Sequence, residues 1–390
     1  MLFNDPALRE LKQKFDREKV KKEGCVKATD RGFGFLEVDR DQSYFIAPND
    51  MRNVMHGDRI SAFIEEDSNG RQHAIPQKLI EANLKRFVAC VSIANGKIYV
   101  IADHPNIKNR IIAIDKRPED KTPLHNGDFV ICNLFSHALK GHGFKADIIE
   151  LICKKNDPKA PWKVSLRRYD LPLKEPDDEA FEFLESTYER TDLTALDFVT
   201  IDSAHTEDMD DALYIEKDAS GFKLYVAIAD PTGYISETSK FNDQAANRAF
   251  SIYLPGHDIP MLPRALSDNL CSLRPGQSRP TLVGIMHCDP DGRLDFSATK
   301  FILANIISKG KLVYNEVSDY LEGKENAKVP EENIIKLLKI LVEFTKVRDN
   351  YRATHAASFR NHPDYEFILT KEGSLDHIEV NYRRIANQIV

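Results

Sequence analysis

Between residues 24 and 66 the chain alternates apolar and polar positions with a period of two. The runs GCVKA, GFGFLEV, SYFIA and DRISAFIEE are separated by short polar turns and one longer loop, MRNVMHG. Strands of four to eight residues divided by such turns are what small all-β modules are built from. The pattern returns in FVACVSI, GKIYVIAD, RIIAID and the run from His125 to Ile131. His56-Gly57-Asp58-Arg59-Ile60 and Asn126-Gly127-Asp128-Phe129-Val130 both place a Gly-Asp turn ahead of an alternating strand. The spacing therefore predicts two tandem barrels, over 21–82 and 83–153. Ahead of them, Asp5 as a cap, Pro6 at the first turn and the stripe Leu8, Leu11, Phe15 predict an amphipathic helix within 1–20, packed on the next domain. Residues 154–190 read as linker and helix: a Pro- and Lys-rich connector over 154–176 holding the single Trp, then a helix over 177–189 with an acidic first turn. Arg167 and Arg168 in this stretch read equally as a phosphate contact and as a solvated pair.

From 191 to 390 the periods mix. FVTID and KLYVAIAD read as strands. SKFNDQAANRAFSIY, KLVYNEVSDYLEG and the long run from Glu331 to His355 read as helices. The stretch 281–307 reads as a strand hairpin. The fold class expected is multidomain: two β-barrels followed by a mixed α/β (α+β) domain.

The segment Arg31-Gly32-Phe33-Gly34-Phe35-Leu36, with Ser43-Tyr44-Phe45-Ile46 and His56-Gly57-Asp58, resembles a cold-shock-type OB fold. Phe33 and Phe35 are two apart and share one face of a strand. Aromatic rings on an open sheet face beside Arg31 and Lys27 are what base stacking requires. The competing reading makes the rings barrel core, and the flanking glycines argue for the open face. The second barrel lacks the GFGF cluster, which favours backbone over base contacts there.

Charge refines this picture. The chain carries 54 basic and 61 acidic residues, net −7, so a nucleic-acid partner has to be met by local patches. Residues 1–150 are net +2 and 151–390 net −9; the window 201–250 alone holds 4 basic and 10 acidic residues. The two halves are expected to do different work. Six scattered cysteines with no C-x-x-C pair exclude a cysteine-based zinc site and a disulfide scaffold. No apolar run approaches a membrane span, and the N-terminus has no signal-peptide pattern, so a cytoplasmic protein is expected.

The sharpest chemistry is Asp202-Ser-Ala-His-Thr-Glu-Asp208-Met-Asp210-Asp211, directly after one β run and before another. Four aspartates within ten residues repel one another unless cations neutralise them, and hard oxygen donors suit magnesium or manganese. Two such ions would activate a water and stabilise a leaving oxygen in phosphodiester hydrolysis. An EF-hand is excluded by the missing glycine and glutamate of that loop. A solvated acidic loop and a helix-cap cluster remain as alternatives. His205 and Glu207 lie inside the run; with no second histidine at helical spacing, His205 reads as supporting rather than ligating.

With Val226-Ala-Ile-Ala-Asp-Pro, Arg248-Ala-Phe-Ser-Ile-Tyr253-Leu-Pro-Gly, Pro260-Met-Leu-Pro263 and Leu266-Ser-Asp-Asn-Leu-Cys-Ser-Leu-Arg274, the acidic run resembles the signature of the RNB family, the catalytic domain of ribonuclease II and ribonuclease R, and is most similar to the bacterial ribonuclease II type. The resemblance covers essentially the whole chain. It implies a processive, metal-dependent hydrolytic 3′→5′ exoribonuclease that acts on single-stranded RNA, releases nucleoside 5′-monophosphates and works as a monomer. By resemblance Asp202, Asp208 and Asp211 fall on metal-binding positions and Asp210 on the aspartate most tied to chemistry. Tyr253 falls on the aromatic at the RNA 3′ end, and Phe359 on the one clamping the far end of the buried nucleotides. Tyr314 falls near the cleaved nucleotide, with core packing of a helix face as the equal alternative. Arg31, Phe33 and Phe35 complete the RNA-binding set. Family members continue beyond this C-terminus, and the run from Arg383 to Val390 looks like a helix cut in mid-run. The sequence-level expectation is a fragment of doubtful activity, with 383–390 frayed or engaged in a self-contact. The rival reading is a non-catalytic OB-fold protein binding single-stranded RNA or DNA.

Overall fold

A computed structural model describes residues 20–118, 122–177, 188–355 and 362–390. The helix expected within 1–20, most of the one expected over 177–189, and Phe359 lie outside the described residues. The chain divides into two compact units, 1–173 and 174–390.

In the first unit, β1 (Lys21–Ala28), β2 (Gly34–Glu37), β3 (Ser43–Ile46), β4 (Arg59–Glu66) and β5 (Gln72–Glu81) close a barrel in the order β1-β2-β3-β5-β4. The period-two pattern decides which side chains enter. Val26, Leu36, Ile46, Ile60 and Ala74 fill the inside and are fully buried, each large one contributing about 1.5–3 kcal/mol. Their neighbours in sequence point outward. A second closed barrel follows: β6 (Arg86–Ala94), β7 (Lys97–Ala102), β8 (Arg110–Asp115), β9 (Phe129–Ser136) and β10 (Lys145–Cys153), in the order β10-β8-β7-β6-β9.

The repeated Gly-Asp turn is one structural device used twice. Gly57 and Gly127 have φ of 83° and 90°, a region open to glycine at no steric cost. Gly57 N–H donates to Val26 O (2.7 Å), as Gly127 N–H does to Val91 O (2.8 Å). Asp58 accepts from the backbone N–H of Met55 and Asn83, and Asp128 from those of His125 and Lys155. The third partner differs. For Asp128 it is Lys154 Nζ (3.1 Å); for Asp58 it is His137 Nε2 (3.0 Å), reaching over from the second barrel. Met55 of the first barrel and Phe144 of the second share one buried cluster.

The stretch read as a connector starts differently from expectation. Helix α1 (Ala160–Arg168) packs Ala160 and Val164 against Val88, Ile131 and Ile152 of the second barrel. Arg167 and Arg168 are not a merely solvated pair. They are ion-paired to Glu150 and Asp103 of that barrel.

In the second unit, β11 (Thr191–Asp192), β12 (Phe198–Asp202), β13 (Asp211–Asp218), β14 (Gly221–Ala229), β17 (Ser278–Cys288) and the 20-residue β18 (Leu294–Val313) form one sheet. Its order is β11-β18-β12-β13-β14-β17, and β17 also pairs with β18, so the pairing runs round in a ring. Both faces are covered: Phe198 and Ala212 belong to one cluster, Val199 and Ile215 to the other. This accounts for the unbroken buried run Phe198-Val199-Thr200-Ile201. Helices α2 (Lys240–Arg248), α3 (Tyr314–Leu321) and α4 (Glu332–His355) and the small hairpin β15 (Ile252–Leu254) with β16 (His257–Ile259) decorate the sheet. A second hairpin pairs β19 (Asp364–Leu369) with β20 (Leu375–Asn381).

The run expected to be cut in mid-helix instead starts a helix, α5 (Ile385–Ile389), at Arg384, whose backbone N–H is capped by the Asn387 side chain (3.1 Å). It is engaged with its own chain. Arg384 pairs with Asp319 and Glu322, Ala386 N–H donates to Ser318 Oγ (3.2 Å), and Ala386 is buried.

Candidate functional site

Strand β12 ends on Asp202 and β13 begins on Asp211, so the sheet itself brings these two carboxylates to one end. The loop between them carries Asp208 and Asp210 on either side of Met209. Met209 is buried among Phe198, Tyr225 and Leu273, and this anchor leaves both flanking aspartates free to face outward. The loop is tied from two sides. Ser272 Oγ donates to Glu207 O (2.6 Å) and accepts from Met209 N–H (3.2 Å), while Leu273 N–H donates to Met209 O (2.9 Å). Lys311 Nζ, on β18, donates to the carbonyls of Ala204 and Thr206. The segment Leu266–Arg274, noticed in the sequence only as part of a signature, is thus the support of the acidic loop. Arg279 holds it in turn by donating to Ser272 O and Asn269 O.

The electrostatics are those of crowded like charges. Asp210 has the surface accessibility of an exposed residue, yet the protein around it, and then Asp208, Asp211 and Asp202, push its carboxyl up to about 6. Burial, with Asp211 and Asp208, raises Asp202 against the opposing pull of the Thr200 hydroxyl and then Lys311, and burial raises Asp211. Asp202 Oδ2 is buried and, among the described residues, has no hydrogen-bond partner.

The Tyr253 hydroxyl, on β15, donates to Asp208 Oδ2 (2.7 Å), and its ring is 67% exposed. Burial and this bond to Asp208 raise the Tyr253 hydroxyl. Tyr314 follows Val313, the register partner of Asp202 in the parallel β12–β18 pair. Burial, and then Asp202 and Asp211, raise its hydroxyl, while Arg383 opposes; its ring also packs against the core under α4. Tyr314 is thus a core-packed side chain with its hydroxyl in the field of the aspartates, and its place near the cleaved nucleotide stays an expectation from resemblance. His205 is exposed at the loop tip, and Glu207 sits 3.6 Å from Arg274. Asp230 of the Ala-Asp-Pro run is structural: burial would raise it, but Thr232 and the buried Arg190 (2.5 Å) hold it low.

The donor chemistry suits a hard divalent cation: oxygen ligands, unneutralised negative charge and one orphaned buried carboxylate oxygen. The side chains do not form a ready cage, since among the described residues no three His, Cys, Asp or Glu stand at metal-holding spacing. Asp202, Asp208 and Asp211 would hold the ion, with remaining positions left to water or substrate oxygens.

A separate candidate surface lies on the first barrel. Phe33, Phe35 and Phe45 form a mutually touching group with ring centroids 5.5–6.2 Å apart. None belongs to the barrel core, which overturns the core alternative. Phe45, which the sequence reading passed over, is the cross-strand partner of Phe35, and Lys27 is the partner on the other side. The row Lys27–Phe35–Phe45–His73 crosses four strands. Arg31 is exposed in the turn before Phe33.

Family models match three stretches: an RNB domain over residues 190–390, a Ribonuclease B OB domain over 24–76 and a cold shock domain over 99–176. Curated relatives named Exoribonuclease 2 include that of Enterobacter sp. (strain 638), 46% identical over 393 residues, and that of Haemophilus influenzae (strain PittGG), 45% identical over 401. Each alignment takes in 100% of this chain and 60% of the relative, so the chain spans about 60% of their length. Among solved structures, Mycoplasma genitalium RNase R in complex with ribose methylated single-stranded RNA superposes with TM-score 0.73 at 24% identity, covering 94% of this chain and 59% of that one. Yeast Ssd1, described as a pseudonuclease, matches with TM-score 0.59 at 13% identity, covering 89% and 50%. These two likenesses concern the fold.

Proposed function

The chain belongs to the RNB family, and from that premise we propose that its protein is a divalent-metal-dependent, processive 3′→5′ exoribonuclease that hydrolyses single-stranded RNA to nucleoside 5′-monophosphates in the cytoplasm, acting as a monomer. Magnesium is the natural ion, with manganese as its chemical equivalent. The observation that carries the reading is the crowd of four aspartates at one end of β12 and β13, with the orphaned Asp202 oxygen among them. Bound there, the ion would neutralise the scissile phosphate and lower the pKa of an attacking water.

The protein's own groups would divide the remaining work. Asp202, Asp208 and Asp211 hold the ion. Asp210, whose carboxyl is pushed up in the metal-free protein by its surroundings and its like-charged neighbours, stands among the ion-holding aspartates and would take or return a proton at its carboxylate. Tyr253 steadies Asp208 through its hydroxyl and offers its exposed face to a terminal base. Tyr314 stands beside Asp202 and Asp211 on the side of the cleaved nucleotide. Phe33, Phe35 and Arg31, now joined by Phe45, hold the strand by stacking and phosphate contact, while the role assigned to Phe359 stays an expectation from resemblance.

The test follows labelled RNA and DNA oligomers of matched sequence with the full-length gene product, in magnesium and in chelator. The expected result is 5′-monophosphate release from RNA in magnesium alone. Tight RNA binding without release in any metal would favour the non-catalytic reading, for which the Ssd1 fold is a precedent.

A further inference from the structure

The sheet of the second unit carries a second concave site, at the end away from the aspartates. A cleft of about 970 Å³ opens between the β13–β14 turn, the adjoining ends of β17 and β18, and the C-terminal half of α4. Strand β13 runs from Asp211 to Asp218, seven steps of about 3.3 Å, so roughly 23 Å separates this cleft from the acidic loop. Its size is that of a small-molecule site.

The cleft is built by a close backbone approach. Gly292, in the β17–β18 turn, has φ of 92°, and a Cβ there would stand 2.6 Å from Val347 O and 2.9 Å from Tyr351 Cβ. The turn is held down where Arg348 donates to Gly292 O. What results is a wall of rings with cations beside it. Phe222, Tyr351 and Phe296 line the cleft, and Phe296 is 82% exposed on a strand.

The charges sort by what they are already doing. Asp289 Oδ1 accepts the backbone N–H of Asp291 and Arg293, and Asp295 Oδ1 accepts those of Ser297 and Ala298. These carboxylates close their own turns. The cations have no carboxylate partner among the described residues. Arg348 bonds only a carbonyl and lies 5.5 Å from the Tyr351 ring, and the Arg293 side chain is exposed; among the described residues neither is in an ion pair. His287 lines the same cleft.

We propose that this cleft is a nucleotide-binding site, distinct from the acidic loop and independent of metal. Arg293 takes the phosphate, with Arg348 beside it on Gly292 O, and the exposed Phe296 takes the base, since the Tyr351 ring is already stacked on His355. Asp289 and Asp295 line the cleft beside these cations, so a phosphate alone is held weakly. Stacking on an aromatic face has to supply the rest, and it accepts any base. The inference goes beyond the exoribonuclease reading and stands on different residues.

The test is calorimetric titration of the full-length gene product, in chelator, with 5′-AMP, adenosine and inorganic phosphate. AMP is expected to bind more tightly than either of its parts. Arg293→Gln, an exposed substitution that leaves the turn intact, should weaken AMP about tenfold, the size of one lost charge-assisted hydrogen bond. Phe296→Ala should weaken AMP and adenosine together and leave phosphate unchanged. Any part of the AMP binding that Tyr253→Ala removes belongs to the acidic site, and the part it leaves should be the one that both cleft substitutions weaken. Absence of AMP binding, or binding that is lost in Tyr253→Ala and indifferent to both cleft substitutions, overturns the proposal.

Discussion

At the scale of the residue, Asp210 concentrates the tension of the site. Its carboxyl titrates near 6 because charge-dispersing water is partly excluded and three like charges stand close. The folded protein therefore binds a proton at Asp210 more readily than the unfolded chain does. Its contribution to stability is present below the ordinary carboxylate range and is lost as pH rises through about 6. In metal-free protein, Asp210→Asn should raise stability at pH 7.5 by about 1 kcal/mol, the linkage value reduced for solvent screening at an open site. In the complete protein with magnesium the same change should remove most of the turnover while leaving RNA affinity nearly intact. A cation competes with that proton, so the rise in Tm on adding magnesium should be larger at pH 7.5 than at pH 5. Thermal melts at both pH values, with single-turnover decay of a labelled oligonucleotide, check these outcomes. A substitution that keeps full turnover would remove Asp210 from the chemistry.

At the scale of the element, what was legible in the sequence was whatever repeats locally. The alternation of β1–β4 gave their inward faces, and the Gly-Asp turn at 57–58 and 127–128 announced the duplicated barrel. The acidic run announced the loop between β12 and β13. What stayed hidden depends on meetings between distant residues. Phe45 is part of the ring group only because β3 lies beside β2 in register. Ser272 and Lys311 support the acidic loop from about 65 and 105 positions away. Helix α1 looked like a connector because its partners lie on β6, β9 and β10. The hairpin β19–β20 gave no such forewarning. These hidden supports make the loop a testable element. Ser272→Ala would leave the Met209 N–H without its buried acceptor, at a cost of roughly 1–3 kcal/mol. Urea unfolding should show that loss, and magnesium affinity should fall with it, because Met209 spaces Asp208 and Asp210. Unchanged magnesium binding in a stably folded variant would mean that the loop keeps its shape without the clamp.

At the scale of the whole molecule, charge and chemistry divide along the chain. The first 150 residues are net +2 and carry the ring group with Lys27 and Arg31, while the remainder is net −9 and carries the aspartates. A polyanion meets repulsion at the acidic unit until cations are held there. The barrel surface needs no metal, since stacking and phosphate contact act on the strand directly. Grip and cleavage should therefore separate under two treatments. Chelator should abolish turnover of single-stranded RNA and leave most of the equilibrium affinity. Phe33→Ala with Phe45→Ala should do the reverse, lowering affinity by about 1–3 kcal/mol for each stacked base lost and sparing single-turnover cleavage at saturating protein. Because the three rings lie outside the barrel core, the double variant should melt close to the parent. Filter binding and single-turnover decay, each with magnesium and with chelator, make the comparison. If chelator removes affinity and cleavage together while the ring variant changes neither, the strand is held at the aspartates alone, and the barrel surface has no part in gripping it.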